Sequence, residues 1–225
     1  PLCEAEKKSL IDADLSEWVR KLMEERSPRW FVGWRNITNA TNERTVIASV
    51  LPQSGVGNSL SIGIISSENR PFSGCLLANL ESVVVDYIAR FKVAGVNLSY
   101  FYIKQLPILP PTAYTPADIS YITPRVIELV YTAESLRPWA EEMGYKGDPY
   151  TFNPDRRAKL RAELDACYAR LYGLSREELH YILDPAEVMG EDYPTQTFSG
   201  LKTNELRDFG EYRTKKLILA AWDKM

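Results

Sequence analysis

Residues 72–111 constrain the fold more than any other part of the chain. Leu76, Leu80, Val83 or Val84, Tyr87 and Phe91 recur there at three- and four-residue spacing, and Leu77 and Ile88 widen the stripe. That period is one apolar helix face, with Asn79, Glu81, Asp86 and Arg90 turned elsewhere. Gly95 then permits a backbone reversal that a residue with Cβ resists. Residues 98–103 hold Tyr100, Phe101 and Tyr102, an aromatic density that predicts a strand. Pro107, Pro110 and Pro111 remove backbone donors, so regular pairing ends near them. Helix, glycine break, strand and proline stop in that order are the mark of an α+β unit.

The flanking segments extend that reading. Leu15, Trp18, Val19 and Leu22 form a helical stripe that Asp12 or Asp14 caps and Ser27-Pro28 ends. Trp30, Phe31, Val32 and Trp34 predict a strand that Gly33 weakens, and residues 39–43 are a polar turn cluster. Residues 44–51 are a second strand, so the two make a hairpin. Gly55, Gly57 and Asn58 make a loop before a third strand over 60–65. Beyond Pro116 the pattern is helical. Thr123 and Pro124 predict one helix start, and Asn153 with Pro154 another. The helix after Pro154 carries Leu160, Leu164, Tyr168 and Leu171 and ends at Gly173. Ser175 and Glu178 have capping-box spacing ahead of a helix that stops before Asp184-Pro185. A last helix carries Leu217, Leu219, Ala220 and Trp222. The expected fold is α+β, divided into an N-terminal helix or linker (1–26), a β-rich module (27–112) and a mainly helical C-terminal region (113–225).

Composition excludes several classes. No apolar run reaches the roughly 20 residues of a membrane-spanning helix, and the charged first 25 residues are not a secretory signal. Cys3, Cys75 and Cys167 lie far apart without metal-ligand spacing, which argues against a disulfide framework or a zinc site and for a reducing, cytoplasmic setting. The chain starts at Pro1 rather than Met, which points to a piece of a longer polypeptide or a processed terminus. The net charge of −3 does not advertise nucleic-acid binding. Its distribution is uneven: residues 27–110 carry seven basic and four acidic side chains, and residues 111–225 carry 15 and 19. That excess permits DNA contact without requiring it.

No catalytic signature accompanies this pattern. Gly55-Val56-Gly57 leads to a strand rather than a helix and is too short for a cofactor loop. Asp148-Pro149-Tyr150 lacks the second proline of an adenine-methylase signature and reads as a turn with a hydrophobic anchor. His180, the sole histidine, has no nucleophile or second ligand at a recruiting spacing and reads as a packed or surface residue. Glu6-Lys7-Lys8 lacks the upstream partner of a nuclease motif. The hairpin is the better candidate, because its tip gathers Arg, Asn and Thr. Arg pairs bidentately with guanine and Asn with adenine, while hydroxyls and amides suit phosphate oxygens. The same residue types also satisfy the turn backbone of any hairpin.

Two ordered sets of segments resemble a known family. Arg35-Asn36-Ile37-Thr38 with Ala40-Thr41-Asn42-Glu43-Arg44-Thr45, Ala48-Ser49-Val50-Leu51-Pro52 and Gly55-Val56-Gly57-Asn58-Ser59 resembles the opening of a DNA target recognition domain. Leu76-Leu77-Ala78-Asn79-Leu80-Glu81-Ser82 and Leu106-Pro107-Ile108-Leu109-Pro110-Pro111 resemble its close. Such domains belong to large single-chain adenine-specific DNA methyltransferases of restriction-modification and phage-defence systems. TaqI-class enzymes and Type I specificity subunits share the second half more loosely. Asp155-Arg156-Arg157, Leu171-Tyr172-Gly173-Leu174, Tyr181-Ile182-Leu183-Asp184-Pro185 and Gly210-Glu211-Tyr212-Arg213-Thr214 are similar to the same enzymes.

The resemblance implies a double-stranded DNA recognition module without a catalytic, cofactor or metal site of its own. Its partners would be DNA and the methyltransferase domain of the same polypeptide, where S-adenosylmethionine is expected. That domain flips an adenine while this one selects sequence. The implied DNA-binding residues are Arg35, Asn36, Asn39, Thr41, Asn42 and Arg44, with Asn58, Lys92 and Asn97 on phosphate or groove. Glu43 either accepts from cytosine or orients Arg44. The alternative is a protein-docking module of such a system, without base readout.

Overall fold

In the computed structural model, which describes residues 28–194 and 197–225, Trp30–Arg35 forms strand β1. The expected helix over 1–26 lies outside the described residues. Alternation sends Trp30, Val32 and Trp34 into the main core. Gly33 lies under close cover in the strand: a Cβ on it would lie 2.5 Å from the movable Leu51 Cδ1 and 3.3 Å from Ser61 O. β2 (Ala48–Pro52) and β3 (Leu60–Gly63) flank β1 in an antiparallel sheet of order β2-β1-β3. The registers include Trp34 opposite Ala48 and Arg35 opposite Leu60. The hairpin therefore forms as expected, but β2 starts at Ala48 rather than Arg44. The backbone N–H groups of Thr45 and Val46 bond to the Asp86 carboxylate instead of a strand.

Ten α-helices follow the sheet among the described residues, so the fold is α+β with a helical C-terminal region. The long amphipathic helix expected after residue 72 is two helices, α1 (Ser73–Glu81) and α2 (Val83–Lys92). Ser82 between them is extended (φ −67°, ψ 147°), and its hydroxyl caps α2 by accepting from Val85 N–H. The buried N–H of Val83, freed by the break, donates to Asp165, 82 residues away, at 2.7 Å. The helical period runs on through the break because both halves bury their apolar faces.

The aromatic strand expected over 98–103 is a one-turn helix, α3 (Tyr100–Ile103). The side chains outweigh strand propensity there: Tyr100 packs edge-on against Trp34 and donates to Ile62 O. α4 (Pro116–Val130) starts earlier than Thr123 and Pro124 suggest. Thr115 and Asp118 form a full capping box with Pro116 behind it, and Pro124 is carried inside the helix. α5 (Arg137–Glu142) is short and buries Trp139.

Two of the remaining starts match the sequence. Asn153 caps α6 (Pro154–Leu171) by accepting from Arg156 N–H, and Gly173 follows it at φ +73°. The Ser175–Glu178 box opens α7 (Arg176–Leu183). α8 (Pro185–Met189), α9 (Ser199–Phe209) and α10 (Arg213–Trp222) complete the chain. No single helix among the described residues is long and apolar enough to cross a membrane.

Two buried clusters hold these elements. The larger joins the sheet to α1, α4 and α5 and to Leu164, Cys167 and Tyr168 of α6. The smaller joins Val83 and Val84 to Ala162, Ala166 and Ala169 of α6 and to α7, α9 and α10. α6 thus serves both clusters, and packing is continuous across the division drawn at 112/113. Cys75 and Cys167 are buried free thiols, and burial pushes Cys75 up to about 12 and Cys167 to about 11.

Candidate nucleic-acid interface

The segment from Asn36 to Ile47 connects β1 to β2, and two buried charges, Asp86 and Arg90, bond to its backbone. Asp86 is fully buried in α2. Its Oδ1 accepts from Thr45 N–H and Val46 N–H at 2.7 Å each, and its Oδ2 accepts from Arg90 Nε. Arg90 spends every remaining donor on carbonyls: Nη1 on Ala40 and Thr197, Nη2 on Asn42 and Glu43. The Phe198 ring lies 4.3 Å from its guanidinium carbon. Burial lowers the Arg90 pKa, with Asp86 opposing. Glu81 Oε1 accepts from Ala48 N–H at the start of β2. Burial lifts the Glu81 carboxyl to about 7, against that bond and the charge of Arg44.

Asn79, Asp86 and Arg90, expected to turn away from the apolar face, are therefore inside the protein, and Glu81 is half-buried. The helical period places them off the stripe correctly, but the connecting loop and α6 cover that side too. Such residues bury without large penalty because each carboxylate and guanidinium finds partners. Interior Asp and Arg one helical turn apart in an otherwise apolar run were the available signal.

The nine predicted DNA-contacting residues divide into an inward and an outward set. Arg44 is inward: its Nη2 donates to Asp165 Oδ2 at 2.8 Å and its side chain is 19% exposed. Burial raises the Asp165 carboxyl above its ordinary value, with Arg44 and the Val83 N–H opposing. Asn39 folds its side chain onto the loop, accepting from Thr41 N–H and Thr41 Oγ1. Asn42 donates to Thr38 Oγ1. These three side chains brace the loop.

The outward set collects at one end of the sheet. Arg35 is exposed at the end of β1. Asn36 donates its backbone N–H to Ser59 O and accepts from Leu98 N–H, and its Nδ2 reaches Asn58 O at 3.5 Å. Its Oδ1 is buried without a partner. Ile37 bridges antiparallel to Asn97, and Asn58 and Asn97 are both exposed. The fold thus brings Arg35, Asn36, Asn58 and Asn97 together from three separate segments. Thr41 is exposed on the braced loop, and Lys92 is half-buried in the last turn of α2.

Glu6-Lys7-Lys8 lies outside the described residues, and two other candidate motifs take structural places. His180 bonds Glu187 at 2.8 Å. Tyr150 donates its N–H to Tyr131 O and stacks on Tyr145, so Asp148-Pro149-Tyr150 is an anchored irregular segment rather than a turn. Among the described residues no three His, Cys, Asp or Glu side chains are grouped to hold a metal. Chemically, the outward set offers an exposed guanidinium and the exposed amides of Asn58 and Asn97 beside the half-buried amide of Asn36, which is a hydrogen-bonding surface. Comparison of the chain with protein-family models, curated proteins and solved structures gave no match.

Proposed function

We propose that this chain is the sequence-reading, double-stranded DNA recognition module of an adenine-specific DNA methyltransferase from a restriction-modification or related defence system. Methyl transfer and S-adenosylmethionine binding belong to a catalytic domain of the same polypeptide. The observation that carries this reading is the pairing of a charge-clamped 36–47 loop with an exposed Arg35 and the amides of Asn36, Asn58 and Asn97 beside it. Base readout needs donors and acceptors held in place before DNA arrives, because each good bidentate contact contributes only about 1–3 kcal/mol of discrimination. Arg35, Asn58 and Asn97 read or position DNA in this account. Arg44, Asn39 and Asn42 hold the frame, and Thr41 and Lys92 contact backbone phosphate.

The test is selection from a randomised duplex library at low salt, followed by sequencing. The expected result is an enriched motif whose binding Arg35→Ala weakens about tenfold or more. Binding falls steeply with added salt if phosphate contacts drive it. Absence of any duplex binding at low salt would overturn the reading.

A second reading, docking onto the catalytic domain or a defence-system partner, has its own observation. Val188 and Met189 of α8 and Leu206 and Phe209 of α9 are exposed on the helical half. Salt-insensitive association with the catalytic domain, without DNA affinity, is the result that favours it.

A further inference from the structure

A cleft between the β1–β2 connection and α6 lies apart from the outward DNA-contacting set. Its inner part is a cavity of about 260 Å³ with an apolar floor that includes Leu77, Val126 and Leu164. Its outer part, about 340 Å³, opens beside Phe152 and Phe209. Arg44, Arg157 and Arg161 line both parts. Phe152 and Phe209 are 65% and 56% exposed, unusual for two large rings on one cleft. Each ring has an arginine against it: the Arg157 guanidinium carbon is 4.7 Å from the Phe152 centroid, and that of Arg213 is 5.0 Å from Phe209.

The charges in the cleft are not all consumed. Asp165 is occupied by Arg44 and Val83 N–H, Glu81 by Ala48 N–H and the nearby charges of Arg44 and Arg161, Glu205 by the N–H and hydroxyl of Thr214, and Glu43 by Asn204. Arg213 pairs with Asp155. Among the described residues Arg157 has no carboxylate partner and bonds only Leu129 O. Arg161 is exposed with neither an ion pair nor a hydrogen bond among them. Arg44 Nη1 is buried without an acceptor. Exposed rings interleaved with uncommitted guanidiniums are the chemistry that stacks a base and holds its phosphate.

We propose that this cleft binds a nucleotide unit, its base stacked on Phe152 or Phe209 and its phosphate held by Arg157 and Arg161. The unit belongs either to a single-stranded nucleic acid or to a free nucleotide. The site stands independently of duplex reading, which uses Arg35 and the sheet end.

Fluorescence anisotropy of the whole chain with a fluorescein-labelled single-stranded oligodeoxyadenylate tests it, with adenosine monophosphate as competitor. Arg161→Ala, and whichever of Phe152→Ala and Phe209→Ala removes the stacking ring, are each expected to weaken binding about tenfold. Arg161→Ala should still unfold cooperatively, because its side chain makes no hydrogen bond among the described residues and acts on Glu81 and Asp165 only through charge. Competition by the free mononucleotide at matched nucleotide concentration identifies a soluble nucleotide. Competition by unlabelled strand alone identifies nucleic acid. No binding at low salt, or binding indifferent to all three substitutions, overturns the proposal even if duplex selection succeeds.

Discussion

Asp86 and Arg90 show why two charged residues belong inside this protein. Arg90 donates to one carboxylate and four carbonyls, so its planar fork ties together residues 40, 42, 43 and 197. A lysine at that position has three donors and no fork. Arg90→Lys should therefore lower unfolding stability by about 3 kcal/mol and speed amide exchange at Thr45 and Val46. A denaturant midpoint equal to that of the parent chain would remove the clamp from the account. Glu81 makes a separate, pH-dependent contribution. Its carboxyl is pushed up to about 7 by burial from an ordinary 4.5, so the folded chain keeps a proton that the unfolded chain has lost. The resulting stability is present below about pH 4.5 and is lost as pH rises through about 7. Glu81→Gln preserves an acceptor for Ala48 N–H without that titration. Its stability relative to the parent should climb between about pH 5 and pH 8, as read by thermal unfolding, and a flat difference would contradict the shift.

At the scale of elements, the β1–β2 connection is held by close approach as well as by charge. Gly200 in α9 sits against the loop backbone, and a Cβ there would lie 2.6 Å from Thr41 O. Backbone cannot rotate away as a side chain can, so Gly200→Ala should cost about 1–3 kcal/mol. Gly55 and Gly57 have nothing within 4 Å of a built Cβ. Alanine at either is expected to change the same unfolding measurement by less than about 1 kcal/mol. Local signals at this scale were readable from sequence. Asn153, the Ser175–Glu178 box and Gly173 act within one helical turn, and their residue types state their roles. The break at Ser82 was not readable, because the carboxylate that takes the freed Val83 N–H comes from Asp165 in α6. Tyr100 likewise follows Trp34 and Ile62 rather than its own strand propensity.

For the whole molecule, the consequence is one continuous packing. Tyr168 of α6 donates to Cys75 O inside the main core, and Trp139 of α5 donates to Ser73 at the start of α1. Removing residues 113–225 would strip these partners and leave the Asp86–Arg90 clamp without Phe198 and the Thr197 carbonyl. A fragment of residues 27–112 alone is expected to stay unfolded, with collapsed amide dispersion in its proton–nitrogen spectrum. A dispersed spectrum would show that the β-rich module is autonomous.

The amino-acid sequence by itself determined the α+β class, the hairpin, the starts of α6 and α7 and the apolar stripe of α1 and α2. Those follow from period, capping and turn chemistry, which act over a few neighbouring residues. The tertiary structure alone decided which polar residues are structural and which face outward. Arg35 and Arg44 are the same residue type on one hairpin. One is exposed because β1 ends at the sheet rim, and the other is held by a carboxylate 121 positions away. Pairing over that distance depends on how α6 packs, and no local pattern in the chain encodes it.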